Sequence, residues 1–354
     1  MIGTLEIEVN KIPVSKLDQT DFNNIVFGHT FTDHMFVADY ENGEWKNFKI
    51  VPYGDFPMSP AAATLHYGQS IFEGIKAYKH ADGQISIFRP DKNFERFNKS
   101  ADRMLMPSIP EEVFMQGMKQ LIDLDRNWVP DKAGSSLYIR PFMFAYDPFL
   151  GVRASETYKF MVIIGPAGAY YPKPVRVKIE MKYIRSTEGG VGYAKTAGNY
   201  AASLYPTKLA LDEGFDQLIW TDALEHKYIE EAGTMNVMFV INEVLITPST
   251  RDTILDGVSR STILDLAKSW GMSVEERKVT VEEIVAAARN GSLQEAFGAG
   301  TAATIAHISE IGYQGELFTL PPTESRVFSN KALKALDDIR YGLSPDEFGW
   351  NYIV

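Results

Sequence analysis

Three prolines within nine residues, in Pro166-Ala167-Gly168-Ala169-Tyr170-Tyr171-Pro172-Lys173-Pro174, divide this chain more sharply than any other stretch. Proline fixes φ and donates no N–H, so the run resists helix and central strand, while its small residues leave room to bend. A chain of 354 residues exceeds what one small core usually organises. Segment 166–174 is therefore read as a linker between a smaller N-terminal domain, 1–165, and a larger C-terminal domain, 175–354. Before it, 138–146 and 158–164 are rich in Tyr, Phe, Ile and Val and predict strands. Segments 70–78 and 84–88 flank Asp82-Gly83, a hairpin turn pair. Phe94, Phe97, Ala101 and Met104 recur at helical spacing over 91–104, and 112–128 predicts a second amphipathic helix. Beyond the linker, 175–184, 217–221 and 236–246 predict strands. A helix over about 260–270 is closed by Gly271, and Thr280 caps another over 281–289. Strands cluster rather than alternate strictly with helices, so the class is α/β of the α+β kind.

With no cysteine, the chain has no disulfide, thiolate metal site, cysteine nucleophile or iron–sulfur cluster. A net charge of -11 argues against non-specific binding to nucleic acid or anionic membrane, which favours clustered Lys and Arg. The N-terminal residues carry charge every few positions without an apolar run, and no stretch approaches the roughly 20 apolar residues of a membrane span. A soluble, cytoplasmic protein with no metal, membrane or nucleic-acid partner is expected.

The most unusual local sequence is Glu188-Gly-Gly-Val-Gly-Tyr-Ala-Lys-Thr-Ala-Gly-Asn-Tyr200, which sets Lys195 among glycines and small or aromatic neighbours. A solvated lysine on a mobile loop is the bland reading. Two functional readings compete with it. Residues 189–196 read G-x-x-x-x-A-K-T, one residue from a nucleotide phosphate loop, with Asp222 ending an apolar strand as a metal-binding acid would. Against that, Ala194 replaces the second glycine and Pro206 is expected to interrupt the following helix. In the other reading Lys195 attacks an aldehyde. Its amine must first lose a proton, which apolar surroundings and the lack of an adjacent carboxylate favour. The loop alone does not choose between them.

A pyridoxal-phosphate lysine needs an acid for the ring nitrogen, a donor to the ring oxygen and a nest for the phosphate. Tyr228-Ile-Glu-Glu-Ala-Gly-Thr-Met-Asn-Val237 offers Glu231 beside a tight turn, in flanking sequence that reads as buried. At this point GGVGYAKTAGNY, EEAGTMNV and YIRP together resemble the branched-chain aminotransferases of fold-type IV. VFGHTFTDHM, LHYGQSIFEGIKAY, the helix with Arg96, FLGV, LDGVSR and FGAGTAA extend the resemblance in order from about residue 27 to beyond 301.

The resemblance implies a C-terminal pseudo-barrel domain and pyridoxal 5′-phosphate as cofactor. Lys195 is similar to the lysine that bonds the cofactor and shuttles protons, Glu231 to the acid at the ring nitrogen, and Tyr200 to the phenol at the ring oxygen. Arg96, Val258, Ser259 and Thr301 match phosphate contacts. Phe27, Tyr67, Phe72, Tyr138 and Tyr170 resemble walls of the substrate pocket. Thr234 and Ala302 resemble contacts to the α-carboxylate, and Arg140 the residue that accommodates a side-chain carboxylate. The loop with Leu150 and Val152 corresponds to one that reaches the neighbouring subunit of a homodimer. Implied substrates are leucine, isoleucine, valine, their 2-oxo acids and the 2-oxoglutarate/glutamate pair. A C-x-x-C pair carried by some members is replaced by Ala303 and Ala306, so thiol control there is absent. A D-amino-acid aminotransferase or aminodeoxychorismate lyase would share Lys195 and Glu231, and a catalytically dead binding protein would keep the fold without turnover.

Overall fold

The structure, a computed structural model, describes residues 5–168 and 173–354. The chain forms two compact units, one of Met1–Tyr170, Ala194–Ala197 and Asp337–Val354, the other of Tyr171–Tyr193 and Gly198–Leu336. Chain order alone pointed to one crossing. The tetrapeptide holding Lys195 and the C-terminal segment instead belong with the first unit.

The first unit is built on a mixed sheet whose central strands are Tyr158–Ala167 and Ser136–Ala145, paired antiparallel along their whole lengths. His34–Glu41 and Glu44–Pro52 extend it on one side, Ile75–Lys79 and Ile85–Phe88 on the other, with C-terminal strand Asn351–Ile353 at the edge. The Asp82-Gly83 turn forms as expected, with Gly83 at φ +86° and the Gln84 N–H donated to Asp82. Helices Pro90–Arg103 and Glu111–Leu124 pack on the sheet through their apolar stripes. Phe97 lies 5.5 Å from Phe160 and 5.6 Å from Phe114, and all three rings are fully buried. Burial of each contributes about 1.5–3 kcal/mol.

Two expectations about proline fail here. Pro166 and Ala167 are strand, not linker, with Pro166 opposite Leu137. The proline falls beyond Ile163, the last residue paired with strand His34–Glu41, so no second neighbour asks for its missing N–H. Of the rest of that segment, 169–172 lie outside the described residues. Pro206 sits inside helix Ala197–Asp212, which continues through it.

The second unit closes on itself. Strands Met235–Ile241, Leu293–Gly300, Thr304–Tyr313, Val175–Ile179, Gln217–Thr221 and Tyr228–Ala232 pair in that order, and the last returns to the first. Closure leaves these strands no open edge. Val177, Ile219, Val237, Phe239 and Ile308 supply its core, against the Ile284 and Val285 face of helix Val281–Asn290. Thr280 caps that helix by accepting from the Glu283 N–H at 3.0 Å. The strand expected over 236–246 is a hairpin instead, turned at Asn242 and Glu243, both at positive φ. Successive left-handed residues make a two-residue turn whose twist suits the flanking strands. Strand Val175–Ile179 also stops earlier than its alternation suggests.

Candidate active site

In the first unit, Lys195 is held by its backbone. Its N–H donates to Ser100 Oγ at 2.9 Å and its carbonyl accepts from Phe72 N–H at 3.1 Å. Thr196 bridges Ile71, and its hydroxyl donates to the Ser70 carbonyl. The tetrapeptide is thus stitched to strand Ser70–Phe72 and to the helix carrying Arg96. The Lys195 Nζ stands 5.0 Å from the centre of the Phe72 ring.

Phe72 also packs against Arg140, whose guanidinium lies 4.6 Å from the ring centre and donates from Nη2 to the Tyr138 hydroxyl at 2.8 Å. Gly74 makes room, because a Cβ there would fall 2.3 Å from that hydroxyl. Phe27 meets Tyr138 edge-on at 4.8 Å. Phe27, Tyr138 and Arg140 line a cavity of about 240 Å³ with Phe31, Ile163 and Ile164. No carboxylate pairs with Arg140 among the described residues. Tyr67 does not line this cavity. It is exposed, and its hydroxyl donates to the carbonyl of Leu150, itself exposed like Val152. Tyr170 lies outside the described residues.

In the second unit, Glu231 is the penultimate residue of strand Tyr228–Ala232 and is buried. Its Oε1 accepts the Leu255 N–H at 2.6 Å, and Arg185 Nε stands 3.0 Å from Oε2. Arg185 reaches further: Nη1 donates to the carbonyls of Gly192 and Thr253 at 3.2 and 2.9 Å. Asn236, opposite Glu231, donates to the Leu255 carbonyl, so the peptide two residues before Gly257 is gripped on both sides. Gly257 precedes helix Val258–Ser269, which has no side-chain cap, and a Cβ on Gly257 would lie 1.9 Å from Asn236 Oδ1. The two-residue turn holding Thr234 and the turn over 301–303 flank Met235 and Gly300, neighbouring ends of paired strands. Tyr200 lies in the first turn of helix Ala197–Asp212.

The phosphate-loop reading does not fit this geometry. Gly190 and Tyr193 give their N–H groups to the carbonyls of Thr187 and Asp252 instead of cradling an anion. Asp222 caps its own hairpin: burial raises its pKa, but hydrogen bonds from Tyr228, Glu225, Lys227 and Leu224 N–H outweigh that and lower it. A carboxylate so occupied is a turn residue, not a metal ligand.

Comparison with known proteins decides the family. The model of the class IV amino-transferases matches residues 70–311. Branched-chain-amino-acid aminotransferase 2 of Bacillus subtilis (strain 168) is 44% identical over 351 residues, covering 98% of this chain and 96% of that protein. This chain is a class IV aminotransferase of the branched-chain family. The crystal structure of the branched-chain aminotransferase from Thermoproteus uzoniensis with norvaline is 25% identical at a TM-score of 0.74, over 90% of this chain and 99% of that one. The T.th. branched-chain aminotransferase complexed with N-(5′-phosphopyridoxyl)-L-glutamate is 25% identical at a TM-score of 0.70, over 89% of this chain and 97% of that one.

The aminotransferase has the features pyridoxal phosphate asks for: an amine on Lys195, a buried carboxylate on Glu231, and an uncapped helix N-terminus at Val258 where N–H groups and the dipole favour a phosphate. Ser100, Arg185 and Leu255 were not singled out from sequence. Nothing in their local pattern marks them, because each acts through a contact made only in the fold. The neighbour of the acid behaves differently from it. Burial pushes the Glu230 carboxyl up to about 7 against a hydrogen bond from Thr253, and its Oε2 has no partner among the described residues. A raised carboxyl favours the folded state while protonated, so its contribution is whole below 4.5 and is lost as pH rises through about 7. Glu230→Gln is therefore expected to leave stability unchanged near the lower value and to add up to about 3 kcal/mol at pH 8, read from urea unfolding at both.

Proposed function

We propose that this aminotransferase moves the amino group of L-leucine, L-isoleucine or L-valine to 2-oxoglutarate in two half-reactions at one site. The observation that carries this reading is the cavity lined by Phe27, Phe31, Ile163 and Ile164 with Arg140 in its wall. Apolar walls suit a branched aliphatic side chain. A guanidinium without a carboxylate partner suits the side-chain carboxylate of glutamate, which the same pocket must also accept. The relatives named for branched-chain amino acids, and the T.th. structure holding a phosphopyridoxyl-glutamate, support both halves.

When bound, pyridoxal 5′-phosphate supplies a carbonyl for the substrate amine and a ring that draws electrons from its α-carbon. The chain supplies the rest. Lys195 Nζ would hold the cofactor at rest and, once freed by the substrate amine, would take the proton from the substrate α-carbon and deliver it to the carbonyl carbon of the cofactor. Glu231 holds the proton on the ring nitrogen, and Tyr200 donates to the ring oxygen. Arg96, the N–H groups at Val258 and Ser259, and Thr301 hold the phosphate. Thr234 and the Ala302 backbone receive the α-carboxylate, with Phe72 and Tyr170 shaping the pocket and Tyr67, outside the cavity, holding the Leu150 loop. The exposed Leu150 and Val152 fit a loop that reaches the partner subunit of a homodimer, and we place the enzyme in the cytoplasm.

An absorption spectrum tests this. The visible band of the bound cofactor is expected to fall with L-leucine and return with 2-oxoglutarate. A band that ignores L-leucine but responds to D-alanine would assign the chain to the D-amino-acid branch instead.

A further inference from the structure

Glu73 stands between two residues of the site, Phe72 and Gly74, and is fully buried. Neighbouring side chains in extended chain point to opposite sides, so while Phe72 faces Lys195 Nζ, Glu73 turns to helix Pro90–Arg103. There it meets Arg96, itself buried, in a two-pronged pair. Arg96 Nε donates to Oε1 and Nη2 to Oε2, each at 2.7 Å. Asn93 Nδ2, one helical turn before Arg96, donates to Oε2 at 2.8 Å, and the Gly74 N–H reaches the same oxygen at 3.2 Å.

A buried ion pair is a poor source of stability, since an apolar pair of equal volume packs at least as well. What the fork-to-fork contact supplies is direction. It fixes both the plane of the guanidinium and its rotation in that plane, which a single contact or a lysine would leave loose. With Nε and Nη2 set against Glu73, the plane and the rotation of the Arg96 guanidinium are both fixed.

We propose that Glu73 is a positioning residue, holding the Arg96 guanidinium in the orientation in which it takes the phosphate of the cofactor. This rests on the reading of Arg96 as a phosphate contact. Two effects of Glu73 oppose each other, which makes the sign informative. Its negative charge weakens the pull of Arg96 on a phosphate, so if charge dominated, neutralising it would tighten binding. If orientation dominates, neutralising it loosens binding, because a glutamine amide turns one of the accepting oxygens into a donor facing donors.

The apoprotein is titrated with pyridoxal 5′-phosphate and with pyridoxal, which lacks the phosphate, following tryptophan fluorescence. Glu73→Gln is expected to weaken the phosphate ester about tenfold or more and pyridoxal less than about twofold, from the loss of a charge-assisted contact. Arg96→Met tests the parent reading by the same ratio, and Glu73→Gln should add nothing in its background. If Arg96→Met discriminates the two ligands but Glu73→Gln binds the ester as tightly as the unaltered protein, or more tightly, Glu73 does not position Arg96. Equal weakening of both ligands makes Glu73 merely structural and also overturns the inference. If Arg96→Met does not discriminate, the parent reading fails first. Should Glu73→Gln not fold, Asn93→Ser loosens Glu73 without unpairing Arg96, and a smaller loss confined to the ester is expected; no such loss counts against the proposal.

Discussion

Lys195→Ala is expected to lower L-leucine turnover at least about 10⁴-fold while leaving the fold intact. A general base alone is worth roughly 10²–10⁴, and in the role proposed for Lys195 the same amine also provides the covalent attachment, so the loss should sit at or beyond the top of that range. The fold should survive because the contacts that fix this tetrapeptide are made by backbone and by Thr196. Ser100 Oγ receives the Lys195 N–H, the Lys195 carbonyl receives Phe72 N–H, and the Thr196 hydroxyl reaches Ser70. An alanine keeps all three. The measurement is transamination of L-leucine with 2-oxoglutarate alongside a thermal melt. An unchanged melt with lost turnover assigns the role to the side chain, and near-normal turnover would remove it.

The chemistry was more legible in sequence than the architecture that positions it. Lys195 and Glu231 stand in unusual local patterns, an amine among glycines and an acid beside a tight turn, whereas Arg96 was singled out by the resemblance alone. The helices Pro90–Arg103 and Val281–Asn290 were visible for the same reason: apolar spacing and a capping threonine are local signals. What was not visible depends on long-range pairing. The ring closure of the second unit rests on strand Tyr228–Ala232 returning to Met235–Ile241 while also pairing with Gln217–Thr221, which no periodicity reports. Arg185 gives no signal because its three acceptors, Glu231, Gly192 and Thr253, are scattered along the chain. The prolines misled in both directions. A missing N–H matters only where a neighbour would have received it, and Pro166 lies where its second neighbour has ended.

Glu231→Gln should separate the role proposed for this carboxylate at the ring nitrogen from its contact with Arg185. As an acid for a ring nitrogen it cannot be replaced by a neutral amide, and losing a hydrogen bond to a charged group, worth about 1.5–3 kcal/mol, predicts a fall in kcat on the order of 10²-fold. As the partner of Arg185 it neutralises a guanidinium whose side chain is only 8% exposed. Stranding that charge predicts about 3–5 kcal/mol of lost stability, since breaking one side of a buried pair costs far more than the pair is worth. The Leu255 N–H keeps an acceptor, because glutamine retains one oxygen, so the loop before Gly257 stays anchored. Pairing the substitution with Arg185→Met removes both charges together. The double variant is expected to recover much of the stability and little of the turnover, measured by urea unfolding and by L-leucine kinetics at saturating cofactor. Recovery of both would mean that Glu231 matters only as the counter-charge of Arg185, and some other group must then hold the proton at the ring nitrogen.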